Sequence, residues 1–408
     1  AYYLWYGTPE VDGEWRHWNH SVLPHWREDV RRRYPSDVHF LPEEGELHSP
    51  FYPQLGPYSS ADPDVVQKHF HDMVRAGISV AVVSWWGRPS VRGTADTQGV
   101  NTDSLIPMVL EQAEVAGLKV AFHLEPYPGR SAASTAEDVE YLQRQYGHAP
   151  ALFKACKGVV ADGTSTSVLF DVSCPEPLPV LFVYDSYHIS ADDWAALLTA
   201  GGSASLRGGD HDAIFIGLWL DRGHGPDLVR GGFDGAYTYF ASTGFSFGST
   251  PRHWASMNSL MRRHGALFVP CVGPGYDDSR IRPWNRHNTK NRGDGEYYDS
   301  MWNAALSMTP MPAGVGITSW NEWGEGTQIE PAVPAQVPQG AGLSLEIRKA
   351  LSLSTEYADY GEGGPEKYLD ATLGWARQLH SARLEAHQSK CSRLATQFSE
   401  VKAQGYYQ

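Results

Sequence analysis

The chain has 408 residues, 41% hydrophobic and 20% charged, enough to bury a large core and to exclude wholesale disorder. A formal net charge of −14 argues against a nucleic-acid polyanion as the main partner, and no apolar run approaches the roughly 18 residues of a membrane span. Aromatic residues make up 12% of the chain, many beside Gly, Pro, Asp or His, where cores rarely end, so their placement carries information.

Strand candidates fall at 2–6, 78–85, 118–124, 179–185, 213–220, 235–240, 266–272 and 316–320. Amphipathic helical stretches lie between them at 62–76, where Asp62-Pro63-Asp64 is an N-terminal cap signal, then at 103–116, 135–146, 191–199, 226–230, 251–264 and 296–308. Eight strand runs with seven helical segments is the count expected of a single (β/α)8 TIM barrel, an α/β fold, with a doubly wound open sheet as the competitor. Residues 7–61 and 156–174 read as long insertions. A Pro/Gly-rich connection at 331–342 leads to a helical tail over 365–401. The expected organisation is a catalytic barrel with long βα loops over 1–345 and a C-terminal helical extension over 346–408, packed on the barrel or trailing from it. No signal peptide is recognisable, and a start inside the strand-like AYYLWYG predicts a processed or truncated amino terminus.

The chemically distinctive residues stand at the carboxyl ends of these strands: Trp5 and Tyr6, Trp85 and Trp86, His123 and Glu125, Tyr184 and Asp185, Tyr237 and Tyr239, Tyr276, then Asn321 and Glu322. In a barrel those ends meet at one face, where catalytic groups gather. The densest signal is residues 319–328, SWNEWGEGTQ, which carries Glu322 and Glu325 three residues apart beside aromatics and glycines. An aromatic wall keeps one such carboxyl protonated as an acid while a wetter neighbour stays ionised. His123 and Glu125 are two apart on a strand, so both face one side. Arg282 near Trp284 places a guanidinium next to an indole, a surface suited to sugar hydroxyls and ring stacking and equally to a salt-bridged loop.

Other chemistries fit poorly. There is no Walker loop and no suitably placed dinucleotide fingerprint, and Gly244-Phe245-Ser246-Phe247-Gly248 has the letters of a nucleophile elbow without the helix that should follow. The four cysteines show no zinc-ligand spacing, and neither metal nor cofactor is expected. Cys156 and Cys174 flank a polar insert and could pair in an oxidising compartment, Cys271 reads as a buried thiol, and Cys391 lies in the tail. Asn19-His20-Ser21 is an acceptor sequon inside an aromatic, functional-looking segment.

The ordered series WYG, HWNH, FYPQLGPYSSADP, SWWG, HLEPYPGR, YDSYH, GFDGAYTYFAS, FVPCVGPGYDDSRIRPWN and TSWNEWGEGTQIEPA, spanning residues 1 to 334, resembles the endo-α-1,2-mannosidases and endo-mannanases of glycoside hydrolase family 99. The resemblance implies a (β/α)8 barrel that cleaves internal α-1,2-mannosidic links with retention. It implies a neutral mannose-containing oligosaccharide, such as a glucosylated high-mannose N-glycan, as the partner. It places Glu322 as a base on the substrate's own 2-hydroxyl, giving a 1,2-anhydro sugar, and Glu325 as the acid and then base. That differs from the usual retaining pair, in which one carboxylate attacks the sugar. Glu125, Tyr6, Trp85, Trp86, Tyr184, Tyr237 or Tyr239, and Arg282 match the family's binding residues. His123, Asp185, Trp284 and Asn321 complete the expected site. The implied compartment is the secretory pathway, the Golgi lumen for animal members, with secretion or the periplasm for bacterial ones. One departure stands out: family members usually read NEWHEG, and Gly324 occupies the histidine's place. The alternatives are a glycan-binding protein without catalysis on the same scaffold, and a barrel glycosidase for another α-linked glycan.

Overall fold

Val80–Trp85 and Lys119–Leu124 pair in parallel along their full length, Val80 opposite Lys119 and Trp85 opposite Leu124. They open a parallel sheet that continues through Leu178–Val183, Ile214–Leu218, Gly235–Tyr237 and Leu267–Val269. The structure, a computed structural model, describes residues 1–403 except 36, 37, 92, 97, 160–165 and 170–173, and leaves aside the side chains of 158, 159, 166–169 and 386–403. Ile214–Leu218 and Leu267–Val269 are buried at every position, as expected of parallel strands covered on both faces. Pro270 has no N–H for the ladder and splits the run expected over 266–272. The chain resumes as Cys271–Val272, in parallel register with Gly316–Ile317.

Residues 1–6 lie between the first and last of these strands. On one side Tyr2 N donates to Val82 O at 2.8 Å and Ser84 N to Tyr2 O at 2.9 Å. On the other, the Ala1 amine donates to Ile317 O at 2.8 Å and Trp320 N to Ala1 O at 2.8 Å. The strand expected over 2–6 is therefore reduced to a bridge between Tyr2 and Val83. Tyr3's backbone is taken by a side chain instead: its N–H donates to Asn321 Oδ1 at 2.8 Å, and Asn321 Nδ2 donates to its carbonyl at 2.9 Å. The run expected over 235–240 stops at Tyr237. There Thr238 Oγ1 accepts from Cys271 N at 2.9 Å, and Tyr239 turns to a φ of 52°.

Helices fill the intervals where the hydrophobic period predicted them. Pro63–Arg75 is capped by the Asp62 carboxylate accepting from Asp64 N. Ala132–Tyr146 begins before the expected 135, because Ser131 and Ser134 form a reciprocal capping box. Ile106–Ala116 ends on Gly117, whose φ of 75° is the left-handed conformation that terminates helices at glycine. Ala191–Leu198, His224–Arg230, Trp254–Arg263 and Glu296–Leu306 occupy the remaining intervals. At the 156–174 insertion Lys154–Val159 and Thr166–Leu169 form an antiparallel hairpin, and Cys156 is disulfide-bonded to Cys174. Residues 160–165 and 170–173 of that insertion lie outside the described residues. Cys271 is a buried free thiol.

After residue 345 the chain forms Leu345–Leu351 and the long Lys367–Ala403 helix. No described helix is long and apolar enough to cross a membrane. Tyr360 and Tyr368 are buried, their rings 4.7 Å from the Arg292 guanidinium, which also lies 4.3 Å from Phe51. Arg292 Nη2 donates to Gly326 O at 3.0 Å and Gln328 O at 2.8 Å. The C-terminal segment thus braces the loop that carries Glu322 and Glu325.

Candidate active site

Beyond Gly316–Ile317 the chain folds back on itself. Ser319 N donates to Thr327 O at 2.8 Å, and Ser319 Oγ accepts from Glu322 N at 2.8 Å. Trp323–Glu325 is one 3-10 turn closed by Gly326 at a φ of 60°. Trp323 is fully buried; its indole N–H lies 3.2 Å from Tyr58 Oη and 3.1 Å from Glu330 Oε2. Glu330 also accepts from Tyr58 at 2.7 Å and contacts His69 Nε2 at 3.0 Å. This interior network anchors the turn from below.

Glu322 is 7% exposed. Burial, reinforced by the charge of Glu325, raises its pKa well above the ordinary carboxyl value. Burial also raises Glu325, against the opposing pull of Arg282, whose Nη1 lies 3.1 Å from Glu325 Oε1. The same nitrogen reaches Asp278 Oδ2 at 3.2 Å. Asp278 is fully buried and accepts from Tyr276 Oη at 2.9 Å and Asn285 Nδ2 at 2.8 Å. The arginine is thereby aimed, and the balance of burial and ion pairing favours a proton on Glu322 over one on Glu325.

The wall facing the turn is aromatic. His123 Nδ1 contacts Glu125 Oε1 at 2.7 Å, and its Nε2 contacts Tyr237 Oη at 2.8 Å. Ser84 Oγ donates to the same Glu125 oxygen at 2.8 Å. The Tyr184 ring stands 5.2 Å from His123 and 5.0 Å from Tyr239, and the Tyr3 and Tyr239 hydroxyls bond to each other. The charges of Glu322 and Glu325 both act on Tyr239, and Glu325 and Glu125 act on Tyr184. Burial keeps these tyrosines protonated.

The structure therefore gathers Glu322, Glu325, Arg282, His123, Glu125, Tyr184, Tyr237 and Tyr239. Tyr6 and Asn321 lie beside Glu322 with their polar groups committed to the fold. Tyr6 Oη donates to Asn321 O at 2.8 Å and accepts from Trp323 N at 3.2 Å. The Asn321 amide, fully buried, spends itself on Tyr3 and Tyr58. Asp185 sits at the edge with a φ of 47°, its carboxylate accepting from Tyr187 Oη at 2.7 Å.

Trp85 departs from its expected place in the cleft. It is 1% exposed, its indole donates to Asp103 at 2.8 Å, and its ring packs against Tyr141. Side chains alternate along a strand, so Ser84 faces Glu125 and Trp85 faces the helices. Trp86, the next residue, is half-buried. Trp284 packs instead on the 23–26 loop, donating to Leu23 O at 3.1 Å beside His25 and the exposed Trp26.

Sequence reasoning missed Tyr3, whose signal was its period-two spacing with Trp5, and Ser84, hidden by the two tryptophans that follow. It missed Asp278 and Arg130 too. Arg130 donates to Leu124 O, Tyr184 O and Asp185 O at 3.1, 2.7 and 2.9 Å, tying two strand ends together. A cavity of about 630 Å3 shares His123, Tyr237 and Tyr239 with the aromatic wall and reaches Leu373 and Ala376 of the C-terminal helix, with neither glutamate in its lining. Among the described residues no His, Cys, Asp and Glu cluster could hold a metal ion.

A family model described as glycosyl hydrolase family 99 matches residues 1–381. The chain is a glycoside hydrolase and belongs to glycosyl hydrolase family 99. A glycoprotein endo-alpha-1,2-mannosidase-like protein of Danio rerio is 40% identical over 378 residues, 93% of this chain and 77% of that protein. The glycoprotein endo-alpha-1,2-mannosidase of Xenopus laevis is 40% identical over 377 residues, 92% and 76% of the two chains. The solved GH99 endo-alpha-mannosidase from Bacteroides thetaiotaomicron superposes with a TM-score of 0.76 at 37% identity, covering 94% of this chain and 97% of that one.

Proposed function

We propose that this chain is an endo-acting, retaining α-1,2-mannosidase whose substrate is a glucosylated high-mannose N-glycan. The observation that carries the reading is the Glu322–Glu325 turn, a buried and a partly buried carboxyl facing a tyrosine-lined wall with Arg282 on the second. Glu322 as carboxylate takes the proton of the 2-hydroxyl, whose oxygen displaces the glycosidic oxygen from C1 to form a 1,2-anhydro sugar. Glu325 as acid gives its proton to that leaving oxygen. Water, deprotonated by Glu325, then opens the ring at C1 while Glu322 returns the proton to O2, and two inversions leave the configuration retained.

The pair needs one shared proton. Burial of Glu322 and the ion pair at Glu325 favour the arrangement reached after the first transfer, so the site stabilises the charge that develops on Glu325. His123, Glu125, Tyr184, Tyr237 and Tyr239 bind the reacting sugar's hydroxyls and ring, Tyr6 and Asn321 hold the turn, and Asp185 and Trp86 serve the cleft's outer positions. Buried, protonated tyrosines offer hydroxyls and ring faces without charge, which suits a neutral glycan.

The same reading takes the sheet as a closed eight-stranded (β/α)8 barrel, supported by Ala1 and Tyr2 bonding to the strands on either side. It takes 1–345 as the catalytic domain and 346–408 as a helical extension packed on it, supported by Tyr360 and Tyr368 around Arg292. A secretory compartment, the Golgi lumen for an animal source, is supported by the Cys156–Cys174 disulfide. The test is product analysis with a glucosyl-mannose N-glycan. The wild type releases a reducing disaccharide of α configuration, and Glu322→Gln and Glu325→Gln each abolish release while the fold survives. Full activity in both variants, or tight binding without turnover by the wild type, overturns the reading.

A further inference from the structure

Gly324 sits between Trp323 and Glu325 without a positive φ, so its glycine answers to space and not to backbone conformation. A Cβ built there would lie 3.1 Å from both Cδ2 and Nε2 of His48 and 3.3 Å from Cδ1 of Ile281. Contacts that close force the neighbour to move, and His48 is poorly placed to yield. It is 2% exposed, and its backbone N–H and its Nδ1 both lie 3.3 Å from Trp18 O. The adjoining Leu47 is fixed through its carbonyl by Arg280 at 3.1 Å and through its N–H by Tyr357 at 2.7 Å. The imidazole also packs between His20, 6.0 Å away, and Trp18, 5.9 Å away.

The geometry points to His48 as a positioning residue for the glutamate turn: its imidazole, carried by a loop far earlier in the chain, fills the space that a side chain at 324 would enter. Positions 48 and 324 are then alternatives for one imidazole-sized volume, and the turn holds Glu325 against Arg282 only when that volume is occupied once. An empty volume lets the turn relax towards His20, and a doubly filled one pushes it out. This rests on the reading of Glu322 and Glu325 as the catalytic pair. The effect acts through the turn, so it falls on kcat more than on KM, since small misplacements of reacting groups cost turnover steeply.

The test is a double-mutant cycle on the full chain, with hydrolysis of an α-1,2-linked glucosyl-mannose substrate and thermal unfolding measured in parallel. His48→Ala lowers kcat about tenfold with KM within about twofold. Gly324→His alone lowers kcat further, and His48→Ala/Gly324→His recovers to within about threefold of wild type, a coupling of about tenfold or more. Gly324→Ala, the milder probe, costs activity with His48 present and none when it is combined with His48→Ala. If Gly324→His fails to fold, folding of the double variant is itself the rescue. Additive effects in both activity and Tm, or a His48→Ala variant with wild-type kcat, overturn the proposal while leaving the catalytic reading intact. A wild type inactive on every α-1,2-mannoside defeats that reading instead, and the coupling is then decided by Tm alone.

Discussion

Arg282 meets Glu325 at 3.1 Å, and the same guanidinium nitrogen is held from behind by the buried Asp278 at 3.2 Å. The second contact makes the first directional: Asp278 receives hydroxyl and amide donors from Tyr276 and Asn285, so the arginine cannot swing away without stripping a buried carboxylate. Charge at Glu325 is thus stabilised by a group already in place before any proton moves.

Replacing Arg282 by Met removes that stabilisation. The expected loss in kcat is about 10²–10³-fold, the scale of deleting one preorganised electrostatic donor. Arg282 pulls the pKa of Glu325 down, so its removal moves the alkaline limb of the kcat/KM profile to higher pH. A profile with an unmoved limb contradicts the assignment of Glu325 as the acid.

Glu322→Gln is expected to stabilise the fold while abolishing activity. The folded state holds the Glu322 proton more tightly than the unfolded chain. Its contribution to stability is therefore complete below the ordinary carboxyl pKa of 4.5 and is lost as pH rises through the raised folded value. The Tm gain of the amide variant, about 2 °C, appears at pH 7–8 and vanishes near pH 4.5. Scans of both proteins across that range settle it, and a constant difference counts against the burial argument.

Stability should fall as the medium is acidified. His20 is lowered to about 4, and His48 well below its ordinary 6.5, chiefly by burial. Between 6.5 and 4 the unfolded chain takes up protons that the folded protein refuses, so stability rises with pH across that window. His48→Gln should flatten the slope of Tm against pH there; an unchanged slope refutes it.

Trp85→Phe tests the separation of core from cleft. It deprives the buried Asp103 of a donor at 2.8 Å, costing about 1–3 kcal/mol of stability, and leaves KM unaltered. A large rise in KM would return Trp85 to the sugar site.

Much of the molecule was legible in advance because its signals are periodic. The strands at 80–85, 119–124 and 214–218 and the helices between them are runs whose burial decides their form, and His123 and Glu125 meet because two residues on a strand face one way. What stayed hidden was set by partners distant in sequence. The first segment could not be seen to lose its ladder to the Asn321 amide, nor the Trp85-Trp86 pair to be split by strand alternation. Asp278 was invisible for a related reason. An aspartate reads as a solvated loop charge until the arginine four residues on, and the tyrosine two before it, are seen to converge on it.

The bonds between Tyr3 and Asn321 join positions 318 apart. At a synthesis rate of about 5–20 residues per second, the aromatic opening segment waits roughly 15–60 s for the amide that will hold it. Its pairing with Val82 and Ser84 is available much earlier, but the backbone groups of Tyr3 stay without their amide partner throughout that interval. The glutamate turn and the Tyr360 and Tyr368 rings that brace it through Arg292 lie later still in the sequence, so the opening segment and the turn it locks reach their final form together.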